Sequence, residues 1–371
     1  MSLRGIVRRR LLWLGGVIML VGMLLPNTAA AQSPSPLDPA SPNAALIANL
    51  YWIVFWMSVA VFILVEGLLI YSAIRFRRRS DDELPVQVYG NNRMEIAWTI
   101  GPALIAIAVF VLAWQVMLAD RPPTAAGLSP VSVASVCFNN DVTPEEAAAF
   151  LAASTLTIEI VGQQWWWQYN YLDYNFTTAA DLYVPVGDVV VLQITSRDVA
   201  HAWWIPQLGG KQDLYPGAVT FTWFQVSRPG VFEGNCTELC GSSHAYMPMR
   251  VVALPPDEFD AWAQAQVAKN QVNTIAIANS STQAQRGEQV FVKKGCVGCH
   301  AVGGLGINAQ AGPNLSNFAS RRQIAGIMPN TEDNLRSWIA NPSQKPGARM
   351  PAIPIAPDEM DALIAYLGTL K

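Results

Sequence analysis

The sequence predicts a multi-domain membrane protein: a two-helix transmembrane hairpin, then an all-β barrel or sandwich, then a small all-α module. Three observations predict this. Two apolar stretches, from about Leu50 to Ile74 and from about Ile96 to Leu118, are each long enough to cross a hydrocarbon core of about 30 Å as a helix. From about residue 155 to 254, short β-branched and aromatic runs alternate with Gly and Pro turn signals. From Pro255 onward the apolar spacing becomes helical. Composition agrees: the 371 residues are 51% hydrophobic and only 14% charged, with a mean hydropathy of +0.24. Ordinary globular chains carry about a quarter charged residues, so a plain soluble protein and a disordered one are both excluded. The net charge of −3, with basic clusters confined to the ends of apolar segments, excludes a nucleic-acid binder.

The chain opens with Arg4 and Arg8-Arg9-Arg10, an apolar run from Leu11 to Leu25, then Pro26 and Ala29-Ala30-Ala31. Basic start, short apolar core and small-residue exit make residues 1–31 a secretory signal peptide cleaved near Ala31, with a retained anchor as the alternative. The hairpin occupies residues 45–119. Arg75, Arg77, Arg78, Arg79 and Arg93 lie between its spans, so that loop is cytoplasmic and everything after residue 119 is outside. Glu66 sits within the first span. A carboxylate in a bilayer needs a partner, so Glu66 argues for a second subunit.

Residues 120–154 are rich in Pro, Ala and Ser and read as a linker or insertion with one short helix from Thr143 to Ala152. They contain Cys137, a lone thiol with no obvious partner. Within 155–269 the runs from Thr157 to Val161, Val189 to Ile194 and Val219 to Phe224 read as strands, punctuated by Gly187, Pro216-Gly217 and Pro229-Gly230. Residues 270–283 are Asn-, Ser- and Thr-rich and read as a second linker. The last unit, 284–371, opens on a helix carrying Gly287, Val290 and Phe291. It closes on another that begins at Pro357-Asp358-Glu359 and turns Leu363, Ile364, Tyr366 and Leu367 inward. So small a unit gains from a covalent cofactor in its core.

The chain has three histidines and five cysteines, and four of the cysteines form two tight pairs, each followed by a histidine. Cys296-Val297-Gly298-Cys299-His300 is the C-x-x-C-H signature of c-type haem attachment: two thiols three apart each reach a vinyl group, and the adjacent His300 meets the iron. A redox dithiol or half a zinc site are the competing readings, but zinc wants further Cys or His and residues 301–371 hold neither. The second axial ligand must then be a methionine: Met328, Met350 or Met360. Met350, in the loop Gly347-Ala348-Arg349-Met350-Pro351, is the favoured one; Met360 falls in the closing helix. His/Met ligation suits electron transfer rather than oxygen binding. The backbone of Gly312-Pro313-Asn314 is placed to accept a hydrogen bond from the His300 ring.

The other pair lies in Cys236-Thr237-Glu238-Leu239-Cys240-Gly241-Ser242-Ser243-His244-Ala245-Tyr246-Met247, with His201 upstream. Two thiolates, two imidazoles and a thioether are a soft donor set that suits copper, and two thiolates can bridge two metals. A Cys236–Cys240 disulfide and a Cys2His2 zinc site remain as alternatives, although zinc leaves Met247 unexplained.

On these residues, on Gln164-Trp165-Trp166-Trp167-Gln168-Tyr169, on the Asp198–His201 segment and on Lys211-Gln212-Asp213, the region 45–255 resembles cytochrome c oxidase subunit II. The module 284–371 resembles a class I cytochrome c, with Phe291 and Tyr366 where that family packs its first and last helices. The fused pair resembles subunit II of caa3-type oxidases. The resemblance implies a cupredoxin-like Greek-key barrel holding binuclear copper, CuA. Cys236 and Cys240 would bridge both coppers, His201 and Met247 complete one, and His244 and the Glu238 carbonyl complete the other. It also implies that the Glu238 side chain reaches a magnesium ion at the boundary with subunit I, that Trp165 is the electron entry point and that Glu95 lies near a proton-uptake path. Where the family usually has Gly-His-Gln before the tryptophans, this chain has Gly162-Gln163-Gln164.

The function so implied is electron input to a cytochrome-c oxidase. Electrons pass from cytochrome c, another small redox protein or a quinol-oxidising complex, through haem c and CuA, to subunit I. There oxygen is reduced to water with proton pumping, with subunit III as a further partner. The corresponding subunit of a CuA-containing nitric oxide reductase and a free-standing membrane electron carrier are the alternatives. Strict strand alternation would put Trp165 and Trp167 on one face and Trp166 on the other, leaving at least one exposed. The expected location is the bacterial plasma membrane, with both metal modules on its outer side.

Overall fold

The computed structural model describes residues 34–77, 89–120, 154–271, 282–303, 305 and 309–371, with isolated positions at 148 and 152. The expected signal segment, Cys137, Arg78 and Arg79, most of the 120–154 linker and residues 272–281 lie outside them.

Two long helices, α1 (Pro42–Arg75) and α2 (Asn92–Ala119), form the hairpin. Each starts where a side chain caps it. Ser41 Oγ accepts from Ala44 N at 3.0 Å, and Asn91 Oδ1 from Met94 N at 3.3 Å. α1 begins eight residues ahead of the apolar stretch because its first turns are packed on protein. Asn43, Ala44 and Ala48 are buried, Ser41 Oγ donates to Leu208 O at 2.6 Å, and the backbone of Ala40 pairs with Gln207 and Ser227. Asn43 also donates to Asp120 Oδ1 at 2.7 Å, joining the outer ends of the two helices. Glu66 occupies an exposed position on α1.

The β domain is a sandwich. Strands β1 (Leu156–Gln163), β2 (Trp166–Tyr171), β3 (Phe176–Ala179), β5 (Val189–Ser196) and β8 (Thr220–Gln225) form one sheet in the order β3-β2-β1-β5-β8. β4 (Asp181–Pro185), β9 (Gly230–Asn235) and β10 (Pro248–Leu254) form the other in the order β4-β10-β9, and β6 (His201–Trp203) pairs with β7 (Gln212–Leu214). β1 runs parallel to β5 and β4 parallel to β10; the other pairs are antiparallel. The period of two places Trp167, Tyr169 and Tyr171 in the core. Arg250 and Asp181 form a largely buried ion pair across β4 and β10. Helix α3 (Pro256–Gln271) closes one end through Phe259 and Trp262, the latter stacked on Tyr183 at 4.4 Å.

In the last unit, α4 (Thr282–Lys293) crosses α6 (Pro357–Leu367), with α5 (Glu332–Ala340) beside them. Phe291 and Tyr366 pack there as anticipated, their ring centroids 5.7 Å apart. The crossing is close enough that a Cβ on Gly287 would land on the Ala362 carbonyl and 2.7 Å from Tyr366 Cβ. Because one neighbour is backbone and cannot swing away, Gly287→Ala is expected to destabilise this unit by at least about 3 kcal/mol, the upper end for overpacking. Thermal unfolding followed at the haem absorption checks this; an unchanged midpoint would refute it.

Candidate metal centres and the contact between them

The first centre is built on the loop between β9 and β10, which Cys236 N closes by donating to Met247 O at 3.2 Å. Cys236 and Cys240 are free thiols with sulfurs 3.8 Å apart. A disulfide needs about 2.05 Å, so the pair is not bridged. Around these sulfurs converge His201 Nδ1 (3.9 Å from Cys236 Sγ), the Glu238 carbonyl (3.3 Å from Cys236 Sγ), His244 Nδ1 (3.6 Å from Cys240 Sγ) and Met247 Sδ (4.0 Å from Cys240 Sγ). His201, Cys236 and Cys240 offer donors all within 4.8 Å of one another. The two thiols and the four groups around them make six donors, more than the four of a tetrahedral zinc ion and enough for two ions that share the thiolates. The donor set therefore fits binuclear copper.

The electrostatics suit a site completed by cations. Burial, and then the neighbouring Cys236, push the Cys240 thiol up to about 12, so metal binding must displace thiol protons. Burial lowers His201 against the opposing pull of Asp198. Asp198 Oδ1 lies 3.0 Å from His201 Nε2, an arrangement that leaves Nδ1 free to face the sulfurs. Burial raises the Asp198 carboxyl, but hydrogen bonds from Gln164 N, the His201 ring and Val199 N outweigh it and leave the group below its usual range. The Glu238 side chain points elsewhere, 3.9 Å from Lys211 Nζ.

The second centre opens on a cavity of about 950 Å³ that reaches from the cytochrome module, where Cys296, Cys299, His300 and Met350 line it, to residues of the β domain such as Trp165 and Arg250. His300 Nδ1 donates to Pro313 O at 2.8 Å, the bond anticipated from the sequence, which leaves Nε2 for a metal. Burial lowers the His300 pKa, favouring the neutral ring a metal requires. Met350 lines the cavity, Met360 is packed in the core, and Met328 pairs with Ile324 between the two-residue strands β11 (Gln323–Ile324) and β12 (Met328–Pro329). Arg321 also lines the cavity; it is 8% exposed and its Nε has no hydrogen-bond partner. A buried orphan donor suits a carboxylate carried by the bound group, so the cavity fits haem.

Trp165 stands between the centres. It lies in the turn joining β1 and β2 rather than in a strand, and its indole donates to the Cys240 carbonyl at 3.0 Å. Trp165 and Trp167 are buried and Trp166 is half-buried. None of the three is fully exposed: Trp166, which alternation turns away from the other two, is half-buried, and Trp165 is covered by the cytochrome module's loop 345–349. Glu95 sits at the start of α2, where Oε1 accepts from Asn91 N at 3.3 Å. Sequence reasoning assigned no role to Asp198, Arg321 or Lys345; Lys345 bonds carbonyls 20 to 180 residues away, whereas Asp198, three residues before His201, carried a local signal.

A β-sandwich with a two-thiolate centre, anchored by two membrane-capable helices and fused to a haem-binding helical module, defines a membrane-anchored electron carrier. The comparisons identify it further. The family descriptions "Cytochrome C oxidase subunit II, transmembrane domain", "Cytochrome C oxidase subunit II, periplasmic domain" and "Cytochrome c" match residues 35–116, 176–254 and 284–371. Cytochrome c oxidase subunit 2 of Alkalihalophilus pseudofirmus is 37% identical over 94% of both chains, and that of Bacillus sp. strain PS3 is 35% identical over 80% of both. The periplasmic domain of subunit II (CoxB) from Bradyrhizobium japonicum is 35% identical, covering 31% of this chain and 96% of that one, with a TM-score of 0.31. The chain belongs to the cytochrome c oxidase subunit II family, in its form with a fused cytochrome c domain. Membership makes it a membrane-anchored partner of subunit I, with its β domain outside the membrane, and implies copper and haem as its cofactors.

Proposed function

We propose that this chain is the electron-input subunit of a caa3-type haem–copper oxidase, passing electrons from an outside donor through haem c and CuA to subunit I, where oxygen is reduced to water with proton pumping. The observation that carries the reading is the contact between the centres: the loop bearing Met350 lies over Trp165, whose indole is bonded to the backbone of Cys240. Haem and copper, when bound, supply the one-electron chemistry. The residues decide where it runs. Cys296 and Cys299 would hold the haem covalently, and His300 and Met350 would supply its iron ligands. Cys236, Cys240, His201, Met247, His244 and the Glu238 carbonyl would hold the coppers. Trp165 receives electrons from the chain's own cytochrome module.

Further assignments belong to the same reading. The Glu238 carboxylate, exposed beside Lys211, holds magnesium at the subunit I boundary. Glu95 adjoins the proton-uptake path. Subunit III completes the complex, and cytochrome c, another small redox protein or a quinol-oxidising complex delivers electrons. The setting is the bacterial plasma membrane, and residues 1–31 are removed as a signal peptide. A metal count on the purified chain, apart from subunit I and its own metals, tests the core of the proposal: two coppers and one iron, with no zinc. One copper, or stoichiometric zinc, would refute the CuA assignment.

A further inference from the structure

Lys345 is a buried cation, 5% exposed. Its ammonium donates to three backbone carbonyls: Trp165 at 2.8 Å, Tyr246 at 2.8 Å and Ala325 at 2.7 Å. An ammonium has three N–H donors, and all three are used. Two of the acceptors belong to the copper domain. Trp165 is the residue bonded to Cys240, and Tyr246 directly precedes Met247. The third acceptor and the lysine belong to the cytochrome module. Burying a charge is costly unless hydrogen bonds compensate it, so the lysine stabilises its site only while both domains supply their carbonyls. Burial lowers its pKa to about 8, which leaves it mostly protonated at neutral pH.

The surrounding contacts lie on the same loop. Ser243 Oγ donates to Pro346 O at 2.5 Å, and Arg349 donates to Gln164 Oε1 at 2.7 Å. Gly347 has a φ of +74°, and a Cβ there would lie 2.6 Å from Trp165 Cη2, so only glycine lets the loop rest on the indole. The more peripheral contacts, such as Arg322 with Glu233 at 3.2 Å, are exposed and weak by nature.

We propose that Lys345 is a positioning residue that locks the cytochrome module onto the copper domain, so that electrons cross between two fixed sites and the module does not swing during turnover. This rests on the electron-input reading above. The test uses the purified, metal-loaded complex carrying Lys345→Met, with Arg322→Gln as the control. In Lys345→Met, backbone amide exchange across 242–247 and 345–349 is expected to rise about tenfold or more, with the core strand β5 unchanged. Electron transfer from photoreduced haem c to copper is expected to slow about tenfold or more and to become dependent on solvent viscosity, a dependence absent from the wild type. Arg322→Gln should stay within about twofold on both readouts. Gly347→Val keeps the lysine but drives a side chain into Trp165, and should show the same two signatures even if Lys345→Met misfolds. Unchanged interface exchange and transfer rate in folded Lys345→Met, unchanged interface exchange in Gly347→Val, or viscosity-dependent transfer in the wild type would overturn the proposal. A wild-type complex with no CuA or haem c signal would instead sink the functional reading, and the exchange measurement would still report on the lock.

Discussion

Replacing Cys240 by serine is expected to abolish stoichiometric copper binding while leaving haem c in place. The Cys240 sulfur lies 3.8 Å from Cys236 Sγ, 3.6 Å from His244 Nδ1 and 4.0 Å from Met247 Sδ. It is the donor on which the set closes, and a hydroxyl is too hard a donor to stand in for a bridging thiolate. Copper affinity should fall by more than about 100-fold, beyond what is lost when a residue merely orienting a ligand is changed. Asp198→Asn gives that lesser case. It keeps the hydrogen-bonding shape beside His201 Nε2 but removes the charge, and should cost about 10- to 100-fold in affinity. Copper and iron analysis of the purified chain separates the two centres. Retention of both coppers in Cys240→Ser would show that this cysteine is not a shared ligand.

Substituting Met350 by leucine should lower the reduction potential of the haem with its covalent attachment intact. Axial ligands set haem potentials over a range of about 0.8 V, and methionine sulfur raises the potential. A fall of roughly 120 mV corresponds to about a hundredfold less favourable electron equilibrium on the haem, at 59 mV per tenfold for one electron. Met328→Leu should leave the potential unchanged, because Met350 lines the cavity and Met328 does not. Met360→Leu should affect stability alone, because Met360 is 7% exposed in the helical core. A redox titration of the three variants decides the assignment, and a fall confined to Met328→Leu would overturn it.

The parts of these sites that spacing alone made legible are those whose residues share one loop, whereas His201 and Met350 had to be picked from the few remaining histidines and methionines. Cys236, Cys240, His244 and Met247 fall within twelve consecutive positions, and Cys296, Cys299 and His300 within five, so their spacing alone carries the chemistry. The strands around Ile158, Val191 and Thr222 were legible for a similar reason: β-branched runs bounded by Gly and Pro are a local signal. The three-residue strands β6 and β7 were not, since so short a segment has no period to detect. Nor was the lock. Lys345 meets Trp165 across 180 residues of chain, and an isolated lysine in a polar loop reads as solvated surface. The burial of Trp165 was hidden for the same reason. Its covering comes from another domain, whereas alternation along a strand describes only the domain the strand belongs to.

The length of α1 has a mechanical consequence. Thirty-four residues make a rod about 51 Å long at 1.5 Å per residue, against a hydrocarbon core of about 30 Å. The excess stands at its outer end, where Asn43, Ala44 and Ala48 are embedded in protein. Among the described residues, the outer turns of α1 pack directly on the sandwich, so the rod is a stiff mast and the copper loop rides at a set height above the lipid. Transmembrane helices answer a change in bilayer thickness by tilting. In this protein a tilt of the mast is a tilt of the copper domain, and lipid thickness becomes a variable that sets how the metal centre is aimed at the membrane subunit beneath it.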